Sequence, residues 1–143
     1  MRDRSGHDHP GLGVLDITTA PGRHRAVGEI VTTCAIPGIG QLIGFENHHG
    51  VTSLSTDTRS LGTVVTGTGN GTRDHTGRRT EGVLTDRVIG TYLHGPVLVR
   101  NPGLADLLLT WAAGPLPALR ADDEGWTQRL REQRLAAVPA GSA

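Results

Sequence analysis

Apolar and polar positions sort into short β-branched runs over most of the chain, with helical spacing only near its end. Residues 12–17 read as a short strand, closed by a turn at Pro21-Gly22. Residues 25–36, rich in Val, Ile and Thr, predict a second strand that Pro37-Gly38 breaks. Residues 41–47 predict a third, followed by a polar loop through Arg59. Residues 61–66 form a compact β-branched run, whereas 67–80 carry four glycines and little apolar content and are expected to be exposed. Residues 82–84 and 88–93 read as a pair around Thr85-Asp86-Arg87, the second of them a buried strand.

Helical signals begin at Asn101. Asparagine is a good N-cap, and Pro102 suits the first helical turn because its missing N–H needs no partner there. Leu104, Leu107, Leu108 and Trp111 follow at i, i+3, i+4 and i+7, one buried stripe, before Gly114-Pro115 stops the helix. A second helix is expected over 123–137, with Trp126 and Leu130 on one side, and the tail 138–143 should fray. This divides the chain into a disordered start (1–10), a principal unit (11–112) and a C-terminal helical tail (113–143). Strands before helices suggest α+β, or a fragment of a larger α/β domain whose parallel strands lie upstream.

A chain of 143 residues suffices for one domain with a real core. Apolar residues make up 36%, charged residues 20%, and the formal net charge is zero, which argues against a basic nucleic-acid face or a polybasic membrane anchor. All the basic residues are arginine, read as a coding bias. One cysteine allows no internal disulfide and fits a reducing compartment. No run has the length of a membrane span and the polar start lacks the apolar core of a signal peptide, so a cytoplasmic protein is expected.

Candidate chemistry concentrates in two segments. Gly90-Thr91-Tyr92-Leu93-His94-Gly95-Pro96 delivers His94 between a strand end and a helix start, where α/β enzymes place a general base. A structural histidine at a strand end is the alternative. Gly44-Phe45-Glu46-Asn47-His48 is dense in polar groups, and Glu46, Asn47 and His48 could support a base or bind substrate, or simply tie a sheet edge. Cys34 is the one candidate thiol nucleophile, but Thr33 and Ala35 flank it in a strand pattern without the glycines of a nucleophile elbow. Arg25 could clamp a carboxylate through parallel hydrogen bonds; a solvated arginine is the plainer reading. His7 and His9 lack a third ligand at sensible spacing, and Gly67-Thr68-Gly69-Asn70-Gly71 resembles a phosphate loop without the helix that should follow. No cofactor or metal is expected.

Taken jointly, Gly11-Leu12-Gly13-Val14-Leu15-Asp16, Arg25-Ala26-Val27-Gly28-Glu29, Gly44-Phe45-Glu46-Asn47-His48 and Gly90-Thr91-Tyr92-Leu93-His94-Gly95-Pro96, then Arg100-Asn101-Pro102, resemble the CobB/CobQ-like class I glutamine amidotransferases in order and spacing. Within that family they have most in common with the GatD-type glutaminase subunits of lipid II isoglutaminyl synthase. The resemblance implies an α/β fold: the C-terminal part of a flavodoxin-like amidotransferase domain, β-rich with C-terminal helices. It implies L-glutamine as substrate, His94 as the catalytic histidine and Arg25 as a substrate-binding arginine. It also implies ammonia transfer to a Mur-ligase-like partner of the MurT type, for amidation of the D-glutamate of lipid II in peptidoglycan synthesis. A cobyrinate- or cobyrate-type amidotransferase and a non-catalytic partner-binding remnant are the alternatives.

Two departures from the family pattern stand out. Class I enzymes commonly carry a glutamate two residues after the histidine, where this chain has Pro96. The family's cysteine elbow should lie some way before Gly11, where no cysteine occurs. The chain is therefore expected to be N-terminally truncated, to contain no nucleophile, and to be inactive alone.

Overall fold

A computed structural model describes residues 1–3, 5–117 and 121–138. Nine elements follow in order: β1 (Ile17–Cys34), β2 (Gln41–Leu54), β3 (Gly62–Thr66), β4 (Thr80–Glu81), β5 (Val83–Leu84), β6 (Ile89–Gly90), α1 (Val97–Arg100), α2 (Pro102–Ala113) and α3 (Ala121–Ala137). The first four strands form a sheet of order β2-β1-β3-β4, and β5 pairs with β6. Every strand pairing among the described residues is antiparallel. The fold is thus α/β in composition, with strands leading and helices trailing. The parallel sheet of a flavodoxin-like fold is not what these strands build.

The β1–β2 hairpin is longer than the sequence pattern predicts, because tertiary pairing overrides two local signals. Residues 12–16 do not form the expected strand: Leu12 is 98% exposed and β1 starts at Ile17. Pro21-Gly22 does not end a strand but opens a bulge. The register passes from Pro21 opposite Gly50 to Ala26 opposite His48, so four residues of β1 face one of β2. A bulge is where a strand can hold a proline that lacks an N–H. Likewise β2 runs past Asn47 to Leu54, where a polar loop is expected. Its polar side chains are satisfied inside the sheet: Thr52 is buried, and its hydroxyl contacts those of Thr19 at 2.9 Å and Tyr92 at 2.8 Å.

The loop over 67–80 is only partly exposed. Asn70 is fully buried; its amide bonds the Gly82 carbonyl and Thr80 hydroxyl and accepts from the Gly82 N–H at 3.0 Å. Gly69 makes this burial possible, with φ +64° and a backbone so close to the Thr80 carbonyl oxygen that no Cβ fits. The tip, closed by the Arg73–Arg79 bridge and an Asp74-capped turn, projects outward.

The core joins Ile30, Leu42, Leu61, Leu93 and Leu104, with Cys34, Ile36, Ile39, Ile89, Val97 and Leu107 packed around it. Of the predicted α2 stripe only Leu104 is fully buried. Asn101 sits at the N-cap position of α2 without capping it; its side chain bonds both the N–H and the carbonyl of Ile43 on β2 (2.9 and 2.8 Å). Gly114, at φ +86°, ends the helix as expected. On α3, Trp126 and Leu130 stay 75% and 43% exposed, the Trp126 ring covered in part by the Arg129 guanidinium. Polar contacts hold that helix instead. Arg131 donates to the carbonyls of Arg100 and Gln41 and to Asn101 Oδ1. The fraying tail falls outside the described residues beyond Val138.

At the start of the chain, Arg2 pairs with Asp8, and the Arg2 amide donates to the Thr19 carbonyl at 2.8 Å. His7 and His9 both turn toward Asp3, whose carboxyl is pulled down to about 2 chiefly by the hydrogen bond from His9. No group of three or more His, Cys, Asp or Glu forms a metal-binding arrangement among the described residues. None of their helices is long and apolar enough to cross a membrane.

Candidate active site around His94

The approach to His94 is not a strand. β6 ends at Gly90, and its two residues are only half-buried. Thr91, Tyr92 and Leu93 then follow an irregular path whose backbone bonds go to side chains. The Tyr92 N–H donates to Glu81 Oε1 at 2.9 Å, the Thr91 hydroxyl donates to the same oxygen, and the Leu93 N–H donates to the Thr91 hydroxyl at 3.0 Å. Leu93 drops into the core, 3% exposed, against Gly44, where a Cβ would meet its side chain at 2.8 Å. His94 then pairs with Phe45 through both backbone bonds (2.8 and 3.3 Å), and Gly95, at φ +75°, turns the chain toward α1. The imidazole itself is exposed and has no hydrogen-bond partner among the described residues. A fixed backbone under a free ring suits a group that must exchange protons with something docking above it.

The register sorts the other predicted residues onto two faces of β2. Directly opposed residues share a face, so Glu29, Phe45 and His94 lie in one row. Asn47 belongs to that outer face and is exposed. Arg25, carried by the β1 bulge, donates from Nε to Asn47 Oδ1 at 2.7 Å. Glu29 pairs with Arg100 at 3.0 Å. The structure therefore brings Arg25 and Asn47 together, on the side of the sheet that bears His94.

Glu46 and His48 lie on the opposite, inner face, which alternation along a strand requires. Glu46, 3% exposed, accepts the N–H groups of Thr68 (2.7 Å) and Gly69 (2.9 Å) and contacts His48 Nε2 at 3.4 Å. The loop that resembles a phosphate cradle thus spends its amides on an internal carboxylate. His48 donates from Nδ1 to the Gly50 carbonyl at 2.9 Å and stacks on Tyr92, ring centroids 3.7 Å apart and 15° from parallel. These two residues frame the segment leading to His94 and do not touch its ring.

Cys34 ends β1 beside β3 and packs on the core. Burial pushes its thiol up from the ordinary value, and the Ile36 N–H donates to its sulfur at 3.4 Å. It lies five residues along β1 from Glu29, the residue in the row of His94. At ~3.3 Å per residue that is about 16 Å, far beyond the reach of an imidazole.

Sequence reasoning passes over Glu81 and the Glu29–Arg100 pair. Glu81 is fully buried, and burial together with the Glu46 carboxylate raises its pKa against the hydrogen bonds it accepts. The signal was a lone carboxylate inside Thr80-Glu81-Gly82-Val83-Leu84, a run otherwise destined for the interior. Nothing comparable marks Glu29, which reads as any charged strand residue.

Residues 1–102 match the profile of the CobB/CobQ-like glutamine amidotransferase domain. The chain belongs to that family. Among curated proteins the chain is 39% identical, over 104 residues, to the lipid II isoglutaminyl synthase (glutamine-hydrolyzing) subunit GatD of Staphylococcus aureus, covering 73% of this chain and 40% of that one. It is 51% identical over 69 residues to the Streptococcus pneumoniae subunit of the same name, covering 48% of this chain and 25% of the relative. A probable cobyric acid synthase of Methanoregula boonei is 33% identical over 110 residues, 73% of this chain and 19% of its own. The chain therefore spans at most 40% of the length of these relatives.

Proposed function

We propose that this chain supplies the proton-transfer and substrate-facing part of a glutaminase that feeds ammonia to lipid II amidation. The observation carrying the reading is the outer row of the sheet: an exposed imidazole without a hydrogen-bond partner among the described residues, on a backbone pinned by Phe45 and Leu93, with Arg25 and Asn47 on the same side. In glutamine hydrolysis a thiolate attacks the side-chain amide carbon, and ammonia leaves as the thioester forms. His94 takes the thiol proton, returns it to the departing nitrogen, and then deprotonates the water that releases glutamate. Arg25, oriented by Asn47, holds the α-carboxylate of glutamine; Glu46 and His48 support the frame beneath.

The attacking sulfur comes from a segment or chain other than these residues, because Cys34 is distant, half-buried and disfavoured as a thiolate. The chain alone is accordingly inactive. The ammonia passes to a Mur-ligase-like partner of the MurT type, which amidates the D-glutamate carboxyl of lipid II in the cytoplasm. This reading is supported by the GatD subunits among the relatives; the cobyric acid synthase relative, at lower identity, supports a corrinoid acceptor instead.

The test is a chimera in which this chain replaces the matching 104-residue segment of the staphylococcal GatD. Glutamate release should persist in the chimera, vanish with His94→Ala, and survive Cys34→Ser. The isolated chain should release none; turnover that Cys34→Ser abolishes would overturn the nucleophile assignment.

A further inference from the structure

Glu81 is a buried acid whose position none of the chemistry above explains. It lies on the short strand β4, fully enclosed, opposite Gly62 of β3. One carboxyl oxygen gathers two donors, the Thr91 hydroxyl and the Tyr92 N–H; the other, enclosed, has no hydrogen-bond partner among the described residues. Enclosing a carboxyl with an oxygen unmatched is costly, and an amphipathic or apolar residue would serve packing better. What the carboxyl does accomplish is local. Between Gly90, paired with Val83, and the Phe45 bridge at His94, residues 91–93 have no ladder partner among the described residues, and Glu81 with Thr91 supplies acceptors for two consecutive amides, Tyr92 and Leu93. Those amides decide where Tyr92 stacks on His48, where Leu93 enters the core, and so where the next residue emerges.

We propose that Glu81 is a positioning residue for His94, setting through Thr91 and Tyr92 the path by which the imidazole is presented on the outer face. This rests on the reading of His94 as the base. It assigns the buried acid a role in turnover and none in contact with glutamine. Glutamine at this position keeps a carbonyl acceptor of the same shape, so Glu81→Gln should largely preserve the path, whereas Glu81→Ala removes the acceptor.

Two measurements decide it. In the full chain, hydrogen exchange at the Tyr92, Leu93 and His94 amides should speed up about tenfold in Glu81→Ala, the loss of roughly one hydrogen bond. Exchange at Ile30, Val31 and Leu42 should stay as in the parent, and Glu81→Gln should restore protection. In the staphylococcal chimera, Glu81→Ala should lower kcat by about a hundredfold, as small misplacements of a catalytic group do, with KM for glutamine unchanged and Glu81→Gln retaining most of the rate. Should Glu81→Ala fail to fold, Thr91→Val cuts the same relay at the hydroxyl and should give the same pattern. Unchanged exchange at the three amides, exchange that rises equally throughout the core, or a kcat that ignores Glu81→Ala would each overturn the proposal. The exchange readout does not depend on turnover. A chimera that stays active with His94→Ala therefore refutes the base assignment while the amides still report on Glu81.

Discussion

Within the five residues from Gly44 to His48, neighbours do opposite work. Phe45 and Asn47 face outward, where they meet the backbone of His94 and the guanidinium of Arg25. Glu46 and His48 face inward, where they are buried and tie down the loop at Thr68 and the ring of Tyr92. A strand with a two-residue period separates chemistry from support one residue at a time. Polar character in a motif therefore says little about which polar residue meets substrate; the face does.

The largest blow to this contrast should come from beneath the inner face. Gly69→Ala forces a left-handed residue and a collision with the Thr80 carbonyl, so a loss of about 3 kcal/mol is expected in urea unfolding. Next, Glu46→Ala strands two backbone N–H groups and the His48 contact, a cost of about 2 kcal/mol, while its outward neighbour Asn47→Ala should change stability by about 0.5 kcal/mol or less. Equal losses at positions 46 and 47 would break the division of the two faces.

A pH series sharpens it further. The Glu81 carboxyl sits above the ordinary value of 4.5, raised chiefly by burial, so the folded chain holds a proton that the unfolded chain releases. Its contribution is fully present below the unfolded value and is lost as the pH rises through the folded one. The denaturation midpoint should therefore decline over that interval, and Glu81→Gln should flatten the decline. Asp3, Asp8 and Asp74 have lowered values and act in the opposite sense, their contribution fading as the pH falls; they are common to both proteins, so the difference between the two curves isolates Glu81. An identical slope in both would assign the dependence elsewhere. Smallest of all, Arg25→Ala should leave the unfolding curve where it is, yet raise KM for glutamine in the chimera; an unchanged KM would remove Arg25 from the clamp.

Much of the outer face was legible in the sequence. His94 follows an apolar run and precedes a Pro-marked helix start, and the β5–β6 pair around Thr85-Asp86-Arg87 forms as the pattern predicts. The failures share one cause: local signals were overruled by distant partners. Pro21-Gly22 looks like a turn but becomes a bulge because β2 continues opposite it. Thr52 looks like loop and is buried because Thr19 and Tyr92, far away in sequence, satisfy its hydroxyl. Residues 91–93 look like strand, but the nearest available acceptor is the side chain of Glu81 rather than a neighbouring backbone. Hydrophobic periodicity carries no information about which carboxylate will stand in for a missing strand.

The Asn101 carboxamide has a further consequence. By offering one donor and one acceptor to Ile43, it mimics a peptide unit docked alongside the outermost strand of the sheet. That edge would otherwise be an invitation to other chains. With the His94–Phe45 bridge two residues further along the same strand, a planar side-chain amide thus occupies backbone groups that an incoming strand would need.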